Sequence, residues 1–448
     1  MNKFSFHLQN LLIALATSSC TAQPTVETFL TVVTGWLLCT GKRTTTGIIR
    51  AAGPHAAKSH DVYHRFFSLT QWSMEELSRV FFLCVIQLLH LSNVPLWLAG
   101  DDTLAKHYGR KIYGAGSFRD AVRSSKKHIA YAWGLNWVVL VLIVRIPFLQ
   151  GKLVAIPVLA RLNPKKPSAC KKGKGSKNKK TTVTIMAEMV KTVCQWVPDA
   201  QFIFCGDGAY AGIDKYLPSN VTLFSRIRCD AAIYAQPVKK KKKASGRPPQ
   251  KGKRLPSPQV KAKKPHGWKM YDLVLYGKKV KRSIQTYTAL WPEACFYKTI
   301  RIVTVKDPKG EARTEYFFST DPTSSVESII YTYTGRWPIE VVFRESKQYL
   351  GLQDGQARTQ KAVERITPFC LWLNALVKVW FLSDHQAAST FIPSVDDWYS
   401  EKSTVSFQDM LAALRREYWE NSILETSTSH GDLDKFKQHL LNVLARVG

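Results

Sequence analysis

The chain has 448 residues, 45% of them hydrophobic, with 64 Lys and Arg against 33 Asp and Glu. The length suggests about three domains, and the apolar fraction excludes a chain that is disordered throughout. The net charge of +31 points to a polyanion as partner, DNA or RNA first and an anionic membrane surface second.

The opening stretch MNKFSFHLQNLLIALATSSC sets a Lys before an apolar core. His7, Gln9 and Asn10 interrupt the approach and no obvious processing site follows, so a helix is expected here and not a signal peptide. Residues 1–90 read as helices, because VETFLTVVTGWLLC and SMEELSRVFFLCVIQLLHL carry helical apolar spacing. Short helices with Lys and Arg in the turns suit a DNA-contacting bundle, and they suit a helical cap on the core equally well.

From residue 91 the pattern becomes α/β. NVPLWLAG (93–100) reads as a short strand ending at Asp101 and Asp102. NWVVLVLIV and KLVAIPVLA are two further strands joined by a turn. The apolar run 132–149 carries Asn136 and Arg145 and reads as buried strand, not membrane span. TTVTIMAEMVKTVCQWV (181–197) is a helix stopped by Pro198, and QFIFCG (201–206) is a buried strand ending at Asp207. Carboxylates at the ends of neighbouring strands can face each other across a sheet. The nine cysteines form no CxxC pair and lie mostly in apolar runs, which excludes a disulfide framework and a zinc ribbon and fits a reducing setting.

Two tracts break this order. Residues 163–180 hold eight Lys and no acid, and residues 239–269 hold 13 Lys and Arg and no acid. Both are rich in Pro, Gly and Ser, so flexible loops with salt-dependent phosphate contacts are expected. The GRP at 246–248 has the composition of a minor-groove hook. Beyond them, KMYDLVLYGKKVKRSIQTYTALW and YKTIRIVTVKDPKGEARTEYFFST read as strands, the latter a hairpin turning at KDPKGE. Helices resume at SVESIIYTYTGRW and continue to a polar C-terminal region.

The stretch YTGRWPIEVVFRESKQYLGL (333–352) places Glu340 among cations. Pro338 suits the first turn of a helix. At about 100° per residue, Lys347 lies roughly 20° and Arg344 roughly 40° from Glu340, while Glu345 lies about 140° away. A solvated helix with i,i+4 ion pairs would present such a face, as would a site that holds a metal and grips phosphate. Asp102 and Asp207, each behind a buried strand, favour the second reading. Two Asp and one Glu suit a pair of Mg²⁺ ions about 3.5–4 Å apart, as used in phosphoryl transfer.

Tyr333, Arg336, Glu340 and Lys347 follow the spacing Tyr-x2-Arg-x3-Glu-x6-Lys. In this the chain resembles the DDE insertion-sequence transposases that carry a β-strand insertion before the catalytic Glu. GDDT (100–103) looks like that family's first-Asp motif, CGDGAY (205–210) like the second, and LFSRIRCDAAIY (223–234) like the start of the insertion. The resemblance covers about residues 60–385.

It implies an α/β fold with an RNase H-like mixed-sheet core interrupted by a β-rich insertion. The implied parts are a helical N-terminal DNA-binding domain (1–90), the core's first part (91–222), the insertion (223–325) with its Lys-rich loop 239–269, the core's last part (326–385) and a helical C-terminal region (386–448). Asp102, Asp207 and Glu340 would be catalytic and metal-binding. Asp101 or Asp102 could be the first carboxylate, and Asp102 is favoured because it directly precedes Thr103. Tyr333, Arg336, Arg344 and Lys347 would hold DNA phosphates. Trp337 would stack a flipped base or else pack in the core. Lys106, His107 and Arg110 would touch DNA or lie in a solvated loop. Also implied are two Mg²⁺ ions, for which Mn²⁺ can substitute, and double-stranded DNA as partner, both element ends and target. A homodimer in the synaptic complex, no membrane, and a cytoplasmic, nucleoid-associated location complete the expectation. The alternative is a domesticated DNA-binding protein without catalysis.

Overall fold

In this computed structural model, residues 4–384 and 404–426 are described, apart from 5, 21, 121, 126, 150, 166–179, 238–248 and 276–277. Most of the first Lys-rich tract, the GRP stretch and the greater part of the C-terminal region therefore lie outside the described residues.

Five helices lead in: α1 (Phe6–Ser19), α2 (Gln23–Leu38), α3 (Thr45–Ala52), α4 (His60–Ser68) and α5 (Met74–Leu88). Thr44 caps α3 by accepting from Gly47 N–H, and Ser73 caps α5 by accepting from Glu76 N–H. Each supplies an acceptor to an amide with no partner inside its own helix.

The sheet begins with β1 (Leu96–Lys106), β2 (Gly116–Arg119), β3 (Tyr131–Ile146) and β4 (Lys152–Leu162). It continues through α6 (Thr182–Trp196) to β5 (Phe202–Gly206) and β6 (Val221–Arg226). β3 lies antiparallel between β1 and β4, while β5 and then β6 run parallel to β1 on its other side. The order β4-β3-β1-β5-β6, with α6 crossing from β4 to β5, is the RNase H-like arrangement. β3 can be almost wholly apolar because both its faces are covered, and Trp137 to Leu142 are at most 1% exposed.

The inserted elements are α7 (Pro258–Ala262), β7 (Trp268–Leu275), β8 (Lys278–Leu290), α8 (Pro292–Cys295), β9 (Thr299–Lys306) and β10 (Glu315–Ser319). β10 pairs antiparallel with β6, so the insertion prolongs the core sheet to ten strands and does not fold as a sheet apart. Four helices follow: α9 (Val326–Thr334), α10 (Pro338–Tyr349), α11 (Gln360–Asp384) and α12 (Phe407–Thr426).

By length and composition α11 could cross a membrane, yet 89% of its apolar window is buried inside the protein. Phe29 of α2, Phe66 of α4 and Trp72 surround its Phe369, at ring-centroid distances of 5.6, 6.4 and 6.0 Å. The N-terminal helices thus share one hydrophobic core with the sheet. The cysteines among the described residues are free thiols.

Two expectations are corrected here. β1 does not stop at Asp101 and Asp102; it runs through both, opposite Val139 and Val138 of β3. A ladder with the 16-residue β3 carries the strand past the point where its own apolar run ends. The insertion does not start at residue 223, because Leu223 and Phe224 belong to β6 and pair with β5. Sheet pairing ends that strand only at Arg226.

Candidate active site

Glu340 reaches the sheet because of how α9 hands over to α10. Ser325 caps α9, and the chain turns at Gly335. A Cβ on Gly335 would lie 2.2 Å from the Trp97 ring and 2.8 Å from Leu153 Cδ1. Only glycine lets this junction press against β1 and β4. Pro338 then sits in the first turn of α10, as its fixed φ favours.

That approach sets Arg336 against β1. Its Nη1 donates to Asp101 Oδ2 at 2.5 Å, and its Nη2 donates to Glu340 Oε1 at 3.3 Å. One guanidinium therefore links a carboxylate from the sheet to a carboxylate from α10. One helical turn past Arg344, Lys347 Nζ donates to Thr103 Oγ1 of β1 at 2.9 Å. Asp101 and Thr103 are two residues apart on the strand, so both face α10.

Asp207 enters from the neighbouring strand. The parallel β1–β5 register pairs Gly100 with Gly206, so Asp101 and Asp207 are the next residues on adjacent strands, about 5 Å apart by strand spacing. The backbone of Asp207 is still extended, and its carboxylate accepts from Ala209 N–H at 2.9 Å while its carbonyl accepts from Ser225 Oγ at 2.8 Å. These two bonds fix the first turn after β5.

Asp102 points to the other face of the sheet. Its carboxylate accepts from the Tyr210 hydroxyl at 3.5 Å. Gly100, on the same face, would meet Met186 of α6 at 2.5 Å if it carried a Cβ. The sequence preference for Asp102 thus meets a geometric objection, since it is Asp101 that shares a face with Glu340.

Electrostatics separates the acids further. Burial raises the Asp101 carboxyl above its usual range, Arg336 opposes this, and Asp207 adds to it. Desolvation by the surrounding protein raises the Asp102 carboxyl to about 6, with Asp101 and Asp207 contributing, although Asp102 is itself exposed to solvent. Burial raises Glu340 too, opposed by Arg336 and reinforced by Asp101. Burial lowers the Lys347 ammonium, with Lys106 nearby adding to the shift. The site holds negative charge at some cost, and a cation would relieve it.

The remaining expected residues are placed unevenly. Arg344 is exposed on the face of Glu340. Glu345 points away, as its angle requires, and meets Lys378 Nζ of α11 at 2.7 Å. Trp337 is 53% exposed, which removes the core-packing reading. Tyr333 is 8% exposed, packed on Phe317 at 4.7 Å and under the Arg226 guanidinium at 5.1 Å, and burial pushes its hydroxyl up to about 12. His107 is buried and Lys106 pairs with Asp120 at 2.7 Å, so neither sits in a solvated loop; Arg110 is exposed. Arg226 and Tyr210 were missed by sequence reasoning. Arg226 is the last residue of β6 and Tyr210 closes the CGDGAY stretch, so both lie inside the motif stretches, but nothing in the sequence shows that they meet Tyr333 and Asp102.

The donor set of Asp101, Asp207 and Glu340 is all carboxylate oxygen, chemistry that fits a hard divalent cation. Among the described residues, no three His, Cys, Asp or Glu side chains already stand together as a metal cage. The cation now between Asp101 and Glu340 is the guanidinium of Arg336.

Comparison with known families bears on these residues. The family model described as "DDE superfamily endonuclease" matches residues 20–293, which include Asp101 and Asp207. The model described as "Archaeal putative transposase ISC1217" matches residues 293–381, which include Glu340. A comparison with curated proteins finds no match. Among solved structures the chain is similar to a piggyBac transposase synaptic complex with hairpin DNA, determined by cryo-electron microscopy. The identity is 10%, over 98% of this chain and 87% of that one, with a TM-score of 0.45.

Proposed function

Because the chain belongs to the DDE superfamily of endonucleases, we propose that it is a DNA transposase that binds the terminal inverted repeats of its element, cleaves the ends and joins the freed 3′-hydroxyls to target DNA. The observation that carries this reading is the register that sets Asp101 and Asp207 side by side on parallel strands, with Glu340 brought to Asp101 through Arg336.

Asp101, Asp207 and Glu340 are the residues proposed to hold two Mg²⁺ ions, with Mn²⁺ as substitute. Bound there, such ions supply activation of the attacking oxygen and stabilisation of the leaving one. Arg336 then exchanges its carboxylate partners for phosphate oxygens, and its Nε, buried and without a partner among the described residues, has a hydrogen to give. Lys347, held on β1 by Thr103, adds a second donor close to the strand. Arg344 reaches the phosphates from the open side of α10, and Tyr333, its ring under the Arg226 guanidinium, supports that cation toward the DNA. Trp337, exposed at the N-terminal end of α10, offers a face on which an unpaired base stacks. Asp102, on the far face with Tyr210, positions the strand and does not touch the DNA.

The net charge of +31 supplies sequence-blind affinity that falls steeply with salt. Double-stranded DNA is the proposed partner, bound as a homodimer holding two ends, in the nucleoid of the cytoplasm. The reading is tested with a plasmid carrying the element's ends. Wild type should nick it in Mg²⁺ and not in Ca²⁺, and Asp207→Asn should leave it intact. Equal nicking by wild type and Asp207→Asn would overturn the assignment.

A further inference from the structure

A second recess lies past the C-terminal end of α10. The chain turns at Gly351 (φ 64°) into the segment 351–359. Between this segment and helices α3 and α4 is a pocket of about 360 Å³. Arg43, Thr45, Thr46, His64 and Arg358 line it above an apolar floor that includes Trp36, and among the described residues no Asp or Glu does.

Arg43 shows that this is more than a basic surface. It is only 9% exposed, yet its side chain forms no ion pair among the described residues. Its Nη2 donates to the Cys39 carbonyl at 2.7 Å, and its Nε finds no acceptor among the described residues. Arg415 Nη2 donates to the same carbonyl at 3.0 Å, so two guanidiniums share one neutral oxygen. The nearby Asp354 carboxylate accepts from the backbone N–H of Arg43 at 3.0 Å, not from its guanidinium. A buried guanidinium that no carboxylate touches directly keeps unmet hydrogen-bonding capacity, and an anion in the pocket would meet it. The N-terminal end of α3 opens here as well. Thr44 caps Gly47 N–H, which leaves the first amides of the helix, at Thr45 and Thr46, directed outward.

We propose that this pocket binds a backbone phosphate of the DNA that the active site cleaves, a proposal that rests on the transposase reading above. From Glu340 to Tyr349, α10 spans about 14 Å, or roughly four base-pair steps along a duplex. One duplex can therefore reach both sites, with the pocket fixing its register relative to Glu340.

The test uses Arg358→Ala and Thr46→Glu, both at exposed positions. The Glu lies in the first turn of α3, where a negative charge is compatible with the helix, so melting temperatures should stay at the wild-type value. Affinity for a labelled duplex bearing the element's end is measured by anisotropy across a salt series in Ca²⁺. Arg358→Ala should lower the slope of log K against log salt by about 0.9, one phosphate contact, and Thr46→Glu should weaken binding about tenfold at low salt. If wild type binds and nicks DNA while both variants bind with its affinity and slope, this inference is overturned and the transposase reading stands. If wild type binds no DNA, the transposase reading fails and takes the inference with it. Inorganic phosphate is the third arm. If it raises the melting temperature of wild type but not of Thr46→Glu, while DNA binding is equal in both, the pocket is a small-phosphate site and the DNA contact is overturned.

Discussion

Arg336 and Asp101, 235 residues apart in sequence, form a 2.5 Å ion pair in which the same guanidinium also holds Glu340. Arg336 thus stands where the proposed metal ligands need positive charge. Replacing it with Gln should leave Asp101 and Glu340 facing each other without a cation. Mn²⁺ affinity by calorimetry should then rise about tenfold, while plasmid nicking falls at least about a hundredfold because the phosphate grip is gone. Weaker Mn²⁺ binding in Arg336→Gln would mean that the arginine organises the carboxylates and does not occupy their cation site.

The hand-over from α9 to α10 depends on the absence of a side chain at Gly335. Gly335→Ala should cost about 1–3 kcal/mol in denaturant unfolding, because Trp97 and Leu153 must yield. The same substitution made on Trp97→Leu should cost less, and this coupling identifies the Trp97 contact as the cause.

On the far side of α10, Glu345 and Lys378 form a buried pair, with Asn374 donating to the same carboxylate oxygen. Glu345→Ala should destabilise the fold by about 3–5 kcal/mol by leaving the Lys378 charge uncompensated. Glu345→Leu combined with Lys378→Met should recover most of that loss, as read from urea midpoints.

His107 is buried, and burial holds its imidazole below the ordinary value of 6.5, with Asp354 only partly opposing. The folded state therefore favours the neutral ring. Its contribution is full above pH 6.5 and is lost as pH falls below it, by up to about 1.4 kcal/mol per pH unit. Stability profiles of wild type and His107→Gln should converge above pH 7, apart from a constant offset. Below pH 6, wild type should fall more steeply.

The face of α10 was legible in sequence because the helical period is local. Pro338 gave the start, and the angles of Arg344, Lys347 and Glu345 relative to Glu340 followed. The strands β3, β4 and β5 and the helix α6 were legible as long apolar runs. The orientation of β1 was not. Alternation says that Asp101 and Asp102 point to opposite faces, but which face meets Glu340 is decided by the Gly100–Gly206 register and by Gly335 passing Trp97. These contacts join segments more than a hundred residues apart. The far end of β1 and the start of the insertion were misplaced for a related reason, since cross-strand pairing sets where a strand stops.

The central claim is that Asp101, with Asp207 and Glu340, forms the metal-binding carboxylate set. It is tested most directly by comparing Asp101→Asn with Asp102→Asn in Mg²⁺-dependent nicking of end-bearing DNA, each variant first shown to melt as wild type does. Asp101→Asn should lose at least about a thousandfold in rate, and Asp102→Asn should remain within about tenfold of wild type. An inactive Asp102→Asn beside an active Asp101→Asn would contradict the assignment and return the first catalytic role to the carboxylate on the opposite face.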